Sequence, residues 1–331
     1  MKNNPIAVVT GSNGFVGSHL VDHLLEMNYT VRCITRKTSD LKWLKGKKVE
    51  IYDCGLFDKE GLRKAFDNAD YIYHVAGVVK AKKPEGYFRG NVDPTKSLLE
   101  TAMEFRHTIK RFLIVSSQTA AGPSYNEKPV DEEDKPHPIT TYGRSKLAQE
   151  RLAAEYMDRL PVTICRAPAV YGERDTEIFI FFQTFARGLF TTIGFDKKLL
   201  SLIHVSDLAR GFRLAAENPV AAGKIYFISS EKFYTWEEIG EITKNVMKKK
   251  PLRVNVPHFI VYFIAAIAQF FALFSKKPAT LNLEKARDIT RHAWICSTQK
   301  AVKEIGYHQE LTLEEGIMRT VKWYKEAKWL K

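Results

Sequence analysis

Three side chains in this sequence could together move a proton to or from an oxygen: Ser117, Tyr142 and Lys146. Tyr142 and Lys146 are four residues apart, so on a helix they lie one turn apart on a single face. A phenol with an ordinary pKa of about 10 is a poor base at neutral pH, and a neighbouring ammonium lowers that value. Ser117 ends the apolar run that begins at Phe112, where its hydroxyl can hydrogen-bond a reacting alcohol or carbonyl oxygen. A Tyr-x-x-x-Lys step also occurs by chance in many helices. It gains meaning only beside a place that holds the other reactant.

That place is the segment Thr10-Gly11-Ser12-Asn13-Gly14-Phe15-Val16-Gly17, which follows the short apolar run Ile6 to Thr10. Gly11 permits a tight turn, Gly14 lets backbone approach a pyrophosphate, and Gly17 lets the next helix pack closely on the sheet. Asn13, Phe15 and Val16 complete the turn, whose free N–H groups at a helix N-terminus face phosphates. At the end of the second strand, where an acid would grip a ribose 2′-hydroxyl, the chain has Thr35 followed by Arg36 and Lys37. That favours NADP(H) over NAD(H), with Arg36 beside a 2′-phosphate. NAD(H) stays open, since Asp40 could turn inward and Arg36 and Lys37 could be a solvated basic turn.

These residues need an element order that brings strand ends together. Strands are expected at Ile6 to Thr10, Thr30 to Thr35, Asp70 to Val75, Phe112 to Ser116 and Pro161 to Arg166. Helices are expected at Ser18 to Met27, Lys59 to Phe66, Thr95 to Phe105 and from about Tyr142 to Asp158. Alternating strands and helices specify an α/β fold, a Rossmann-type doubly wound parallel sheet. Residues 1–170 form the dinucleotide-binding domain, with further core segments near 200–230. Residues 171–331 form mainly a smaller substrate-binding lobe. In that half, Ser206 or Asp207 is expected to cap a helix, and Thr235-Trp236-Glu237-Glu238 to open another. His74 and His204 read as packed, hydrogen-bonded residues.

The 331 residues are 45% apolar and 27% charged with a net charge of +13, a globular composition that favours anionic partners. No compact basic run interleaved with aromatics supports nucleic-acid binding. Cys33, Cys54, Cys165 and Cys296 show neither C-x-x-C nor Cys/His ligand spacing, so a reduced cytoplasmic setting and no metal site are expected. The N-terminus carries no signal-peptide pattern. Residues 259–274 are uncharged and rich in Phe, Ile and Ala, too short for a perpendicular span. They read equally as a buried helix of the small lobe or as a peripheral membrane contact, with Lys248 to Lys250 and Lys276-Lys277 suited to an anionic bilayer.

Taken in order, several segments resemble the extended short-chain dehydrogenase/reductase family over nearly the whole chain. They are Thr10 to Gly17, His74-Val75-Ala76-Gly77, Asn91-Val92 with Thr95, Ser116-Ser117, Tyr142 to Lys146, Arg166 to Gly172 and His204 to Ala209. The resemblance implies Tyr142 as acid/base, Lys146 binding the nicotinamide ribose while depressing the tyrosine pKa, and Ser117 orienting substrate. It places Pro168 and Val170 beside the nicotinamide and has Ala76 and Gly77 line the cofactor channel. Gly55 stands where many relatives have an acid for adenine. Ser117-Gln118-Thr119 lacks the acidic pair of dehydratases, and Leu200 replaces the diphosphate-binding Arg of nucleotide-sugar epimerases.

The segment Ser116 to Tyr125 instead looks like the branch of 3β-hydroxysteroid and sterol-carboxylate dehydrogenases, with dihydroflavonol-reductase-like proteins as cousins. The resulting expectation is an NAD(P)-dependent oxidoreductase that interconverts a secondary alcohol and a ketone on an apolar, steroid- or lipid-like small molecule. The rivals are a nucleotide-sugar epimerase or reductase and a non-catalytic dinucleotide sensor. A homodimer is compatible with the family.

Overall fold

Apolar runs rich in β-branched residues alternate with amphipathic helices through the first half of the chain, and this alternation builds the sheet. The computed structural model describes residues 4–275 and 279–330. In chain order come β1 (Ile6–Thr10), α1 (Phe15–Glu26), β2 (Thr30–Ile34), β3 (Val49–Tyr52), α2 (Lys59–Phe66), β4 (Tyr71–His74) and α3 (Pro84–Glu104). They are followed by β5 (Arg111–Ser117), the single turn α4 (Gln118–Ala121), α5 (Thr141–Ala154) and β6 (Val162–Ala167). Later helices are α6 (Phe179–Ala186), α7 (Val205–Glu217), α8 (Trp236–Met247), α9 (His258–Ala272), α10 (Leu283–Ile289), α11 (Gln299–Ile305) and α12 (Leu313–Glu326).

The strand Lys224–Phe227 joins the first six, giving a seven-stranded sheet in the order Lys224–Phe227, β6, β5, β4, β1, β2, β3. Every neighbouring pair is parallel. The order reverses between β4 and β1, so their carboxyl ends diverge and open the crevice in which doubly wound folds bind ligands. Leu20, Leu24, Leu208 and Phe212 of α1 and α7 bury one face of the sheet. Leu62, Phe66, Leu98, Leu99 and Ala153 of α2, α3 and α5 bury the other. A separate aromatic cluster, including Phe182, Phe185, Phe190 and Tyr324, holds α6, α8 and α12 together.

Three expectations need correction. First, α3 begins at Pro84, well before Thr95, and carries Pro94 inside it. An interior proline reads as a helix boundary in sequence, but here the flanking turns are held by packing. Second, α7 is capped by His204, whose ring nitrogen accepts from the Ser206 N–H; the Asp207 carboxylate instead accepts from the N–H groups of Glu310 and Leu311 at 3.0 and 3.1 Å. Third, α9 is no core helix: only Val261 and Ala265 are buried, whereas Phe259, Phe263 and Phe271 are 73, 66 and 65% exposed. Of the basic residues expected beside it, Lys276 and Lys277 lie outside the described residues. The Thr235/Glu238 capping box opens α8 as expected.

The turn between β1 and α1 leaves no room for a side chain at Gly11 or Gly17. Gly11 has a φ of +65°, and a Cβ on it would lie 2.8 Å from the Ala76 nitrogen. A Cβ on Gly17 would lie 2.1 Å from the Gly11 carbonyl oxygen, a backbone atom that can move only with the turn. Gly17→Ala is therefore expected to destabilise the fold by about 1–3 kcal/mol, the range for forced overpacking. Urea unfolding measures this, and an unchanged midpoint would contradict the close approach.

Candidate active site

Ser117, Tyr142 and Lys146 meet at the carboxyl edge of the sheet because β5 ends at Ser117 and α5 begins one residue before Tyr142. They share a cavity of about 210 Å³ with Val16, Gly77, Pro168 and Val170, and its remaining lining is largely aliphatic, including Val75, Val78, Val115 and Leu208. Gly11, Asn13, Gly14, Phe15 and Gly17 form the adjoining turn, with Ala76 directly opposite Gly11. Arg36 stands apart from the cavity, exposed beyond the end of β2 and bridged to Cys54 through the backbone. The Asp40 carboxylate does not turn inward; it accepts from the Lys42 N–H within its own turn.

The Ser117 hydroxyl oxygen accepts from both the N–H and the hydroxyl of Thr119, at 3.2 and 2.9 Å. Its own proton is thereby left for the neighbouring Tyr142 oxygen, with which the Ser117 hydroxyl is hydrogen-bonded. Burial pushes the Tyr142 phenol up to about 12, an effect that the Ser117 hydroxyl only partly offsets. The expected depression by Lys146 is not what this geometry gives. The ammonium is turned to the Val115 carbonyl at 2.7 Å and to the Gln149 side-chain oxygen, and burial lowers its own pKa to about 8. At neutral pH the Tyr142 phenol is therefore protonated, as a phenol with its ordinary pKa also is.

Lys146 is held by a buried chain of polar groups whose directions can be worked out. The Thr95 hydroxyl donates to the Asn91 carbonyl at 2.7 Å and accepts from the Gln149 amide at 2.7 Å. His74 Nε2, 2.8 Å from the same hydroxyl, must therefore be the donor. His74 Nδ1 then accepts from the Thr10 hydroxyl at 2.9 Å, and Thr10 accepts from the Ala76 N–H at 3.1 Å. The Gln149 amide is oriented from both ends, with its oxygen toward Lys146. Asn91 ties the 77–78 loop to α5, accepting from the Val78 N–H and donating to the Ser145 hydroxyl. Below the site, Glu150 pairs with the buried Arg166 at 2.7 Å and accepts from Ser116 at 2.6 Å.

In sequence, Asn91 and Thr95 stand out only as matches that open a helix, and Gln149 does not stand out. A glutamine in a helix reads as a surface residue unless its inward position is known, three residues after Lys146. His74, by contrast, is packed and hydrogen-bonded as expected.

The site also fits a dinucleotide. A Cβ would fill the cradle at Gly11 and Gly17, and no side chain caps the N-terminus of α1, whose first turn has no acid. A doubly wound sheet with this cradle and a Ser, Tyr and Lys set at its switch point defines a nicotinamide-dinucleotide-dependent enzyme. Residues 7–229 match the NAD dependent epimerase/dehydratase family, and the chain belongs to it.

Its relatives differ in chemistry. The chain is 29% identical over 325 residues to the ceramide reductase of Caulobacter vibrioides, covering 98% of this chain and 96% of that protein. It is 25% identical to the mouse decarboxylating sterol-4-alpha-carboxylate 3-dehydrogenase, covering 95% and 89%. The Thermotoga maritima UDP-glucose 4-epimerase, solved with UDP-glucose, shares the fold with a TM-score of 0.79 at 22% identity, covering 98% and 99%. Oxidoreductase or epimerase chemistry with a nicotinamide dinucleotide follows from this membership.

Burial lowers the pKa values of His19 and His23 from 6.5 to about 4 and that of His74 to about 3. On acidification the unfolded chain takes up these protons first, so stability present above pH 6.5 is lost as the pH falls. Each histidine contributes a slope of about 1.4 kcal/mol per pH unit in that window. Replacing His74 (His74→Gln) should reduce the slope of unfolding free energy against pH by about one proton's worth between pH 6 and 4. An unchanged slope would show that His74 is not held neutral.

Proposed function

We propose that this enzyme interconverts a ketone and a secondary alcohol on an apolar, lipid- or steroid-like molecule, using NADP(H) in preference to NAD(H). The observation that carries the reading is Tyr142 beside Ser117 and Lys146 in a cavity whose remaining lining is largely aliphatic. The names of the ceramide reductase and the sterol dehydrogenase among the relatives support a lipid-like substrate.

Gly11 through Gly17, Ala76, Gly77, Pro168 and Val170 would hold a dinucleotide, whose nicotinamide would supply or accept a hydride. The rest is done by side chains of the protein. Ser117 donates a hydrogen bond to the substrate oxygen and fixes its position. Tyr142 delivers its phenolic proton to that oxygen as the carbonyl is reduced, or recovers it in the reverse direction. Lys146, kept in place by Gln149 and Val115 one turn from Tyr142, would bind the nicotinamide ribose. Apart from Lys146 the cavity lining carries no cation to meet a sugar diphosphate, and half-buried Leu200 adds none.

Cofactor turnover with 3-keto steroids and long-chain keto lipids, set against UDP-sugars, tests the assignment. Lipid-dependent turnover should fall by about 10²-fold or more in Tyr142→Phe while dinucleotide binding persists. Turnover of UDP-sugars alone would move the assignment to an epimerase. Dinucleotide binding without turnover of either class would favour a sensor. For the cofactor, Arg36→Ala should weaken NADPH binding on the order of tenfold and leave NADH binding unchanged. Equal loss for both would show that Arg36 does not meet a 2′-phosphate.

A further inference from the structure

Helix α9 presents an apolar stripe to solvent. Phe259, Phe263, Ile267 and Phe270 follow one another at helical spacing and Phe274 continues the line just past the helix end, each at least 42% exposed, and the helix contains no Asp, Glu, Lys or Arg. Its inner face rests on a small cluster in which Val261 and Ala265 meet Ala286 of α10. An uncovered stripe of this kind marks a surface that is covered when the protein works. At 15 residues, or about 22 Å, α9 is too short to cross a hydrocarbon core of roughly 30 Å. No described helix is long and apolar enough to cross a membrane. A helix of this length and pattern fits the plane of a lipid interface.

Two observations identify the cover. Lys82 and Lys83 stand at the C-terminal end of α9, where Lys82 donates to the Ser275 carbonyl, and neither lysine is in an ion pair among the described residues. They belong to a chain of net charge +13, so the rim is complementary to anionic headgroups. Beneath the same end of α9 lies a second cavity of about 330 Å³, lined by Lys82, Lys83, Ala272, Leu273, Tyr87 and Thr141 among others. Tyr87 packs against Tyr142 with ring centroids 6.3 Å apart, and Thr141 precedes Tyr142. Tyr87 thus stands between this cavity and the Tyr142 ring.

We propose that the outer face of α9, with Lys82 and Lys83, docks on an anionic lipid bilayer and sets the mouth of the 330 Å³ cavity at its surface, giving an apolar substrate a path to Tyr142. This deepens the lipid-substrate reading of the same site and rests on it. Glu284 of α10 keeps the docking helix registered to the site. Its carboxylate accepts from the N–H and hydroxyl of Thr141, at 2.9 and 2.6 Å, and from Arg144 at 3.1 Å.

Vesicle co-sedimentation of the full-length protein tests docking by binding alone, so its failure is distinguishable from a wrong substrate assignment. The wild-type protein should pellet with vesicles of phosphatidylcholine and phosphatidylglycerol in equal parts, and less so with pure phosphatidylcholine or at high salt. Phe263→Glu/Phe271→Glu should remain in the supernatant with its melting temperature and dinucleotide binding intact. Lys82→Gln/Lys83→Gln should weaken vesicle binding on the order of tenfold. Leu273→Trp, at the cavity mouth, should gain fluorescence quenched by bromine-labelled acyl chains over the wild-type background.

Wild-type protein that ignores anionic vesicles, or a double-glutamate variant that binds as well as wild type, would overturn the proposal. So would a wild-type dimer that the glutamates dissociate, without any vesicle binding, because a second copy would then be the cover. Absence of added quenching at Leu273→Trp would remove the cavity mouth from the bilayer surface.

Discussion

The candidate site depends on one buried chain of hydrogen bonds, running from the Ala76 backbone through Thr10, His74, Thr95 and Gln149 to Lys146. It ties β1 and β4, which diverge at the switch point, to α3 and α5 on one side of the sheet. Each member is satisfied by its neighbours, and a polar network in a low-dielectric interior is stable only in that condition. Burial keeps His74 neutral, and its tautomer is fixed because Thr95 has given its proton elsewhere. With that tautomer fixed, the Gln149 amide has one orientation left, and Lys146 has a place to rest. The residues around the reaction are thus fixed by groups that never touch a substrate.

Packing and charge divide the labour around this chain. The glycine turn brings α1 so close to the sheet that backbone replaces side chain where a dinucleotide must lie. Glu150, clamped to Arg166 and Ser116 beneath α5, anchors the helix that carries Tyr142 to the two strands it crosses. The largely aliphatic cavity walls then leave Tyr142 poorly solvated, and that burial raises its pKa. The second half of the chain adds the Lys224–Phe227 strand to the sheet, builds an aromatic cluster, and places α9 and α10 over the first turn of α5.

Much of this was legible in the sequence. Short apolar runs followed by glycine or serine marked β1, β4 and β5, and α2 is bounded as its pattern specified. Ser117, Tyr142 and Lys146 were brought together as their spacing implied. The start of α3 was hidden because Pro94, tolerated inside the helix, resembles a boundary. Gln149 was hidden because its importance lies in facing inward, which helical periodicity around a short polar segment does not reveal. Hydropathy identified α9 as apolar but carries no information on whether an apolar surface meets protein or solvent. The raised Tyr142 pKa was equally out of reach, since it follows from burial and from where Lys146 points, not from their spacing.

The most direct test of the central claim is a tracer that needs no prior choice of substrate. The enzyme would be incubated with a cellular lipid extract and a reduced dinucleotide deuterated at the transferable position of the nicotinamide, and the products analysed by mass spectrometry. The account predicts one deuterium on the carbon of a newly formed lipid alcohol, lost with Tyr142→Phe. Deuterium absent from every lipid, with label or rearrangement found instead in a sugar nucleotide supplied alongside, would contradict it.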